Sequence, residues 1–313
     1  MLIYIGRRLL QAAVMIIGLS LILFTLLQLA PGNAVDHLIP ETVTDPGQRD
    51  RLIHQLGLDR SPPEQYWHWL VQLLHGDLGT AYSYGQPVLT VIDRSLWPTA
   101  QLQTTVIVLS ILIAIPAGVV AAVKRYSLLD HTVTSGSLFG LSMPSFWFAL
   151  MLIMLFSVRL KWLPVSGNGT GPFWQNLDHF VLPVIVLSLA LVPWYARFVR
   201  AGMIETLGQD YIMTAKAFGI RKSRINFRYA LKPALLPTLT IIGLSLPRLI
   251  GGSVVVESIF AWPGLGRLAY DSIQRHDFPI VMGLGLLTGA FVMLANLVID
   301  LLYVAIDPRV SLD

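Results

Sequence analysis

Residues 197–237 read Arg197-Phe-Val-Arg200, Ala-Gly-Met-Ile, Glu205-Thr-Leu-Gly-Gln-Asp210-Tyr-Ile-Met-Thr-Ala-Lys-Ala-Phe-Gly219, Ile-Arg221-Lys-Ser-Arg224, Ile-Asn-Phe-Arg-Tyr and Ala230-Leu-Lys-Pro-Ala-Leu-Leu-Pro237. This stretch holds eight Lys/Arg against two Asp/Glu and lies between strongly apolar segments. Such a segment is built to face water. Its local signals are two short helices and a corner: Asp210 is placed to cap a helix over 211–218, Gly219 supplies the left-handed residue that ends one, and Ser223 is placed to cap a second. Tyr211, Ala215 and Phe218 share a face at i, i+4, i+7 spacing, and Thr214, Ala215 and Ala217 keep the surface low enough for another protein to approach. The plainer reading is a loop whose basic residues only fix membrane topology.

Working outward, hydrophobic residues make up 54% of the 313 positions and charged residues 13%. The charged share is about half that of a soluble domain. The chain reads as a polytopic membrane protein. A net charge of +4 is weak evidence for nucleic acid, because the basic residues sit beside apolar spans instead of on one face. Without cysteine there is no disulfide, thiolate ligand or cysteine nucleophile.

Arg7 and Arg8 precede a charge-free run over 9–30, about the ~20 residues that cross a bilayer. A cleaved signal peptide has a shorter apolar core, so this is read as a retained first span (1–30). Residues 31–98 form a polar insertion carrying Pro62-Pro63, Trp67, Trp69 and Gly76-Asp-Leu-Gly79, with short amphipathic helices expected around Leu52 and Tyr66. It either caps the outer ends of the spans or touches a delivery protein. Further spans are expected near 100–123, 135–158, 180–196, 234–256 and 278–304. The basic residues Arg7, Arg8, Lys124, Arg125, those of 197–232 and Arg309 then share one side, which the positive-inside rule makes cytoplasmic together with both termini. Pro116, Pro183, Pro193, Pro237 and Pro247 fall in or at the ends of apolar segments as static bends or hinges. No internal repeat or linker divides the bundle of spans.

No Gly-x-x-x-x-Gly-Lys-Ser/Thr loop occurs, so a phosphate-driven motor would be another polypeptide. The histidines show no metal-ligand spacing within a span, so no metal site is expected, and no Ser/His/Asp set can be assembled from sequence. Arg248 is the charged exception within a span. It lies eleven residues beyond Pro237, roughly 16 Å along a helix and near mid-membrane, where a guanidinium faces a cavity or a partner. Gly251-Gly252 beside it allows close approach of a second helix. Trp262 suits an interfacial aromatic belt, and Asp300 and Asp307 lie at the inner edge.

The stretch Met213-Thr-Ala-Lys-Ala-Phe-Gly219 with the following Leu231-Lys-Pro-Ala-Leu-Leu-Pro237 resembles the EAA loop of ABC importer permeases of the dipeptide/oligopeptide/nickel group. The usual form is close to Tyr-x-x-Thr-Ala-Arg-Ala-Lys-Gly; here Lys216 stands for the Arg and Phe218 for the Lys. Leu163-Pro-Val-Ser-Gly167, Ser142-Met-Pro-Ser-Phe-Trp147, Glu257-Ser-Ile-Phe-Ala-Trp-Pro-Gly-Leu-Gly266 and Asp300-Leu-Leu-Tyr-Val-Ala-Ile-Asp-Pro-Arg309 resemble the same group, so the likeness covers essentially the whole chain.

The resemblance implies an all-α type I permease of a bacterial cell membrane, with six transmembrane helices and a five-helix core over 99–313. It implies a coupling helix that docks an ATP-hydrolysing subunit through Asp210, Tyr211, Thr214, Ala215, Lys216, Ala217, Phe218, Gly219 and Arg221. Met143, Ser145, Arg248, Gly252 and Glu257 are the candidates for the pathway or its gate, Glu257 in a gate-shaping role. The implied partners are a second homologous permease, two cytoplasmic ATPases using ATP and Mg, an external substrate-binding protein and the lipid bilayer. This chain itself would hold no cofactor and catalyse nothing. Peptides are the first expected substrate, with nickel chelates, glutathione or other small conjugates as alternatives. A lone secondary carrier would instead need buried acidic or histidine relays along the spans, which are almost absent.

Overall fold

The computed structural model describes residues 2–31, 35, 46–169, 171, 173–245 and 253–306. Among them, Gly6–Leu29, Val88–Val123, Leu177–Leu207 and Phe278–Leu297 are helical, long and apolar enough to cross a membrane. The chain divides into two compact units: Met1–Thr99, Ile250–Val254 and Pro263–Asp313 form one, and Ala100–Leu249 with Val255–Trp262 form the other.

In the first unit, the uncharged run after Arg8 becomes helix α1 (Leu2–Leu29). Two short helices follow, α2 (Pro46–Gln55) and α3 (Pro62–Leu74), the amphipathic pair the pattern indicated. Pro62 occupies the first position of α3, where no N–H is needed, and the Ser61 N–H donates to Glu64 Oε2 at 3.1 Å. α3 rests on α1. The Tyr66 ring lies tilted, 5.3 Å from that of Phe24, and its hydroxyl bonds Ser20 Oγ at 2.9 Å, while Gln28 Nε2 donates to Gln65 Oε1 at 3.0 Å.

A two-stranded hairpin, β1 (Thr80–Ala81) and β2 (Gln86–Pro87), then leads directly into α4 (Val88–Val123). Residues 88–98, expected within the insertion, are therefore helical. Their buried Val88, Val91 and Ile92 follow i, i+3, i+4 spacing and pack with Leu78, Ala81, Leu265, Ile280 and Leu284. The last two belong to α13 (Phe278–Ile306), which follows α12 (Leu265–Gln274). Leu23 and Leu19 of α1 lie against Gly285 and Gly289 of α13.

Asp277, at the head of α13 and fully buried, accepts the hairpin N–H groups of Tyr82 at 3.1 Å and Ser83 at 2.7 Å. Removing a buried acceptor exposes each donor to a desolvation cost of about 1–3 kcal/mol. Asp277→Ala is thus expected to speed hydrogen exchange of the Tyr82 and Ser83 amides at least about tenfold, the factor that 1.36 kcal/mol represents, and unchanged exchange would refute this anchoring role.

The second unit holds the remainder of α4, then α5 (Leu128–Ser142), α6 (Ser145–Leu152) continuing as a π-helix over Ile153–Arg159, α7 (Leu177–Leu207), α8 (Asp210–Ala217), α9 (Lys222–Arg224), a π-helix over Ile225–Ala230, α10 (Leu231–Gly243) and α11 (Val254–Ile259). The expected span 135–158 is not one helix. Pro144, extended at φ −62°, ψ 126°, separates α5 from α6, because proline lacks the N–H and turns the residue before it away from helix. Pro183 and Pro193 sit inside continuous α7 and Pro237 inside α10. The expected span 234–256 is seen as α10 and α11, and 246–252 between them, with Pro247, Arg248, Gly251 and Gly252, lie outside the described residues. So do Asp307 and Arg309.

The unit's core joins Leu102, Val106, Phe180, Val184, Tyr195 and Trp262. Trp262 is fully buried and meets Phe180 edge to face at 4.6 Å, which corrects its assignment to an interfacial belt.

Candidate functional site

The basic segment does not begin as a loop. No proline follows Ala196 and Gly202 does not interrupt the helix, so α7 runs on to Leu207, and Arg197, Arg200 and Glu205 are helical residues. Gly208 closes α7, and Gln209 turns the chain extended at φ −74°, ψ 149°. The cap residue of α8 is therefore Gln209, not Asp210. Asp210 occupies the first turn, where its charge complements the helix dipole without a capping hydrogen bond.

At the other end the expected corner is present. Gly219 is left-handed at φ +71°, its N–H donates to Lys216 O at 3.0 Å, and the Ile220 N–H donates to Ala215 O at 3.2 Å. These are the paired bonds of a Schellman motif. Ile220 packs on the cluster that holds Ala215, the apolar contact that accompanies this corner. The second helix starts earlier than expected: Arg221, not Ser223, is the cap, and Arg221 O accepts the N–H groups of Arg224 at 2.9 Å and Ile225 at 3.1 Å.

The seat of α8 is apolar. Ile212 and Ala215 are buried against Val119 and Ala122 of α4, Val199 and Met203 of α7, Ile225, Ala230 and Ala234. Ala215 accordingly turns inward, away from Tyr211 and Phe218, because burial selects the i, i+3 pair Ile212–Ala215. The outward face carries Tyr211, Met213, Thr214, Lys216, Ala217 and Phe218, followed by exposed Arg221, Lys222, Arg224, Phe227 and Arg228. Phe218 is 81% exposed and Phe227 63%. Exposed aromatic surface beside cations is the composition that protein interfaces favour.

Sequence reasoning missed an ion pair on α7, two turns before α7 ends. Arg200 Nε donates to Asp130 Oδ1 at 2.6 Å and Nη2 donates to Oδ2 at 2.9 Å, a bidentate fork between α7 and the first turn of α5. Asp130 is 3% exposed. It also accepts the Tyr126 N–H at 3.0 Å, and Tyr126 holds a left-handed φ of +64°. The Arg200 fork, with help from the Tyr126 N–H, holds the Asp130 carboxyl well below the usual carboxylate range. A depressed carboxylate contributes stability that is present above its unfolded pKa and lost as pH falls below it. The available signal was Ser127-x-x-Asp130, a capping pattern ahead of an apolar run, in which the Asp130 N–H donates to Ser127 Oγ at 3.4 Å.

Of the gate candidates, Met143 is half-buried in the break between α5 and α6 and Ser145 is exposed at the start of α6. Arg248 and Gly252 lie outside the described residues. Glu257, on α11, is fully buried, and its carbonyl accepts the Trp262 N–H at 2.8 Å. The separated stretches 163–167 and 257–262 meet here: the Gly167 N–H donates to Phe260 O at 2.7 Å, and Leu163 packs on the cluster of Val256 and Phe260. Among the described residues no group of three His, Asp or Glu side chains could hold a metal ion.

Comparison with known proteins agrees along the whole length. Residues 114–312 match the family described as "Binding-protein-dependent transport system inner membrane component", and residues 1–106 match its N-terminal companion family. The chain is 38% identical to the oligopeptide transport system permease protein AppB of Bacillus subtilis, covering 98% of this chain and 99% of that one. It is 37% identical to the dipeptide transport system permease protein DppB of Escherichia coli K12, covering 99% of each. Among solved structures, an inward-facing conformation of the MetNI methionine ABC transporter superposes with a TM-score of 0.54 at 21% identity, over 70% of this chain and 97% of that chain. The fold is thus that of a type I ABC importer permease. The mostly helical architecture, the apolar spans and the full-length matches together establish that the chain belongs to the family of binding-protein-dependent transport system inner membrane components.

Proposed function

We propose that this chain forms half of the translocation pathway of an ATP-driven peptide importer, with a second, homologous permease forming the other half. The segment 197–237 faces the cytoplasm and seats a separate ATPase, which carries the ATP and Mg. An external binding protein delivers the substrate, and both termini of the six-span chain are cytoplasmic. The observation that carries this reading is the outward face of α8. Its inner side is fixed by Ile212 and Ala215, and its Schellman corner presents Tyr211, Met213 and Phe218 amid basic residues. A helix held rigidly from behind and apolar in front suits transmission of force from a partner. Peptides are the preferred cargo because peptide permeases are the full-length relatives.

The test is reconstitution. The chain, co-expressed with candidate ATPase and permease partners, is placed in liposomes with an external binding protein. Peptide-loaded binding protein is expected to stimulate ATP hydrolysis at least several-fold and to drive peptide accumulation. A lone chain that accumulates substrate from an ion gradient without ATP would overturn the proposal.

A further inference from the structure

We infer that the Arg200–Asp130 fork is the link that carries movement of the α8 seat to the break at Met143–Pro144, which makes both side chains positioning residues for coupled transport. This rests on the importer reading above. Asp130 lies in the first turn of the 15-residue helix α5, and the break lies at its far end, roughly 18 Å away at the helical rise. Arg200 lies two turns before the end of α7, whose last turn leads into α8. The same helix α7 therefore carries both the fork and the seat.

α5 runs along α7 and is held at two levels. Near the break, Gly140 sits so close to α7 that an added Cβ would come within 2.9 Å of Leu189 O. At the other level stands the fork. From 130 to 140 is ten residues and from 200 back to 189 is eleven, about 15 and 16 Å along their axes, so the helices lie antiparallel in matched register. Apolar contacts between such helices resist separation but allow sliding. A bidentate guanidinium–carboxylate pair is directional and resists both.

Asp130 is also tied beyond α7. Its carboxylate accepts the Tyr126 N–H at 3.0 Å and the Thr134 hydroxyl at 3.5 Å. The turn joining α4 to α5 is thereby fixed to the same group, and α4 itself contributes Val119 and Ala122 to the seat of α8. A push on α8 reaches α5 through both routes, and both end on this one carboxylate.

The experiment uses the whole importer complex in liposomes. The chain contains no cysteine, so with cysteine-free partner subunits Ser142→Cys and Glu205→Cys carry the only spin labels. With the link intact, the distance between the two labels is expected to stay in one population with and without ATP. In Asp130→Asn, ATP should produce a second population, and ATP hydrolysed per peptide imported should rise at least about fivefold. The exchange Asp130→Arg with Arg200→Asp rebuilds the fork without the Tyr126 and Thr134 bonds, and should restore part of the coupling that Asp130→Asn loses, which no loss of general packing would do. If Asp130→Asn does not assemble, Arg200→Lys, which keeps the charge and loses the fork, is read in its place. Label distances identical to the unsubstituted chain, with hydrolysis and import falling together in proportion to assembled complex, would overturn the link. A complex that never imports peptide would refute the importer reading instead, and the label distances would still decide the link.

Discussion

Gly219→Val is expected to leave the chain inserted and its partners assembled while peptide import falls about tenfold or more and ATP hydrolysis loses its stimulation by loaded binding protein. The reason is confined to the backbone. Gly219 holds φ +71°, and a Cβ built there meets no atom within 4 Å, so packing offers no objection to a side chain. An L-residue in the left-handed region costs roughly 1–2 kcal/mol, and a β-branched one is an outlier there. That cost falls on the Schellman corner, whose two hydrogen bonds set where α8 ends and where Arg221 to Arg224 begin. A shift of ~1.4 kcal/mol in the population of that corner is a factor of ten. Asparagine tolerates this conformation, so Gly219→Asn should keep most of the import. Import by Gly219→Val within twofold of the unsubstituted chain, or an equal loss in Gly219→Asn, would contradict the argument.

How far the fold could be read in the residues depended on whether the deciding term was local. The corner at Gly219 was legible because a left-handed glycine after a short helix is a property of a few neighbouring residues. The helix in 177–207 was placed but cut short at 196, since charge was read as the end of the helix when only the end of the apolar face was in view. Arg197 and Arg200 are good helix formers, and nothing before Gly208 stops them. The split at Pro144 shows a different limit. Proline fixes φ near −65° in a kinked helix and in a broken one alike. The break lies in ψ, 126° at Pro144, which the surrounding chain decides.

The inward turn of Ala215 and the burial of Trp262 are tertiary choices. Spacing placed Ala215 with Tyr211 and Phe218, yet Val119, Met203 and Ile225 made the face of Ile212 the buried one. Trp262 could be an interfacial anchor or a core residue by type alone, and Phe180 and Tyr195, far away in sequence, settle it. The Arg200–Asp130 fork joins residues 70 apart, which no periodicity reveals, although half of it was written in the capping pattern at Ser127.

Gly202 gives the opposite signature to Gly219, because here space and not backbone conformation requires glycine. A Cβ on Gly202 of α7 would lie 2.5 Å from Ala234 O and 3.3 Å from its Cα on α10. The obstacle is backbone, so no rotamer change relieves it; the two helices must part. Ala234 is 1% exposed and belongs to the cluster of Val199, Met203, Ile212 and Ala215, so parting the helices opens the seat of α8 from behind. Overpacking of this kind costs about 1–3 kcal/mol and more where the chain itself must move. Gly202→Val is therefore expected to lower the yield of assembled complex at least about tenfold and to depress its Tm by several degrees, with the surviving fraction coupled normally. Alanine carries the same Cβ, so Gly202→Ala should show most of this loss, whereas at Gly219 the penalty grows from alanine to valine. An assembled, heat-stable Gly202→Ala complex that hydrolyses ATP without importing peptide would show that the α7–α10 approach serves coupling and not packing.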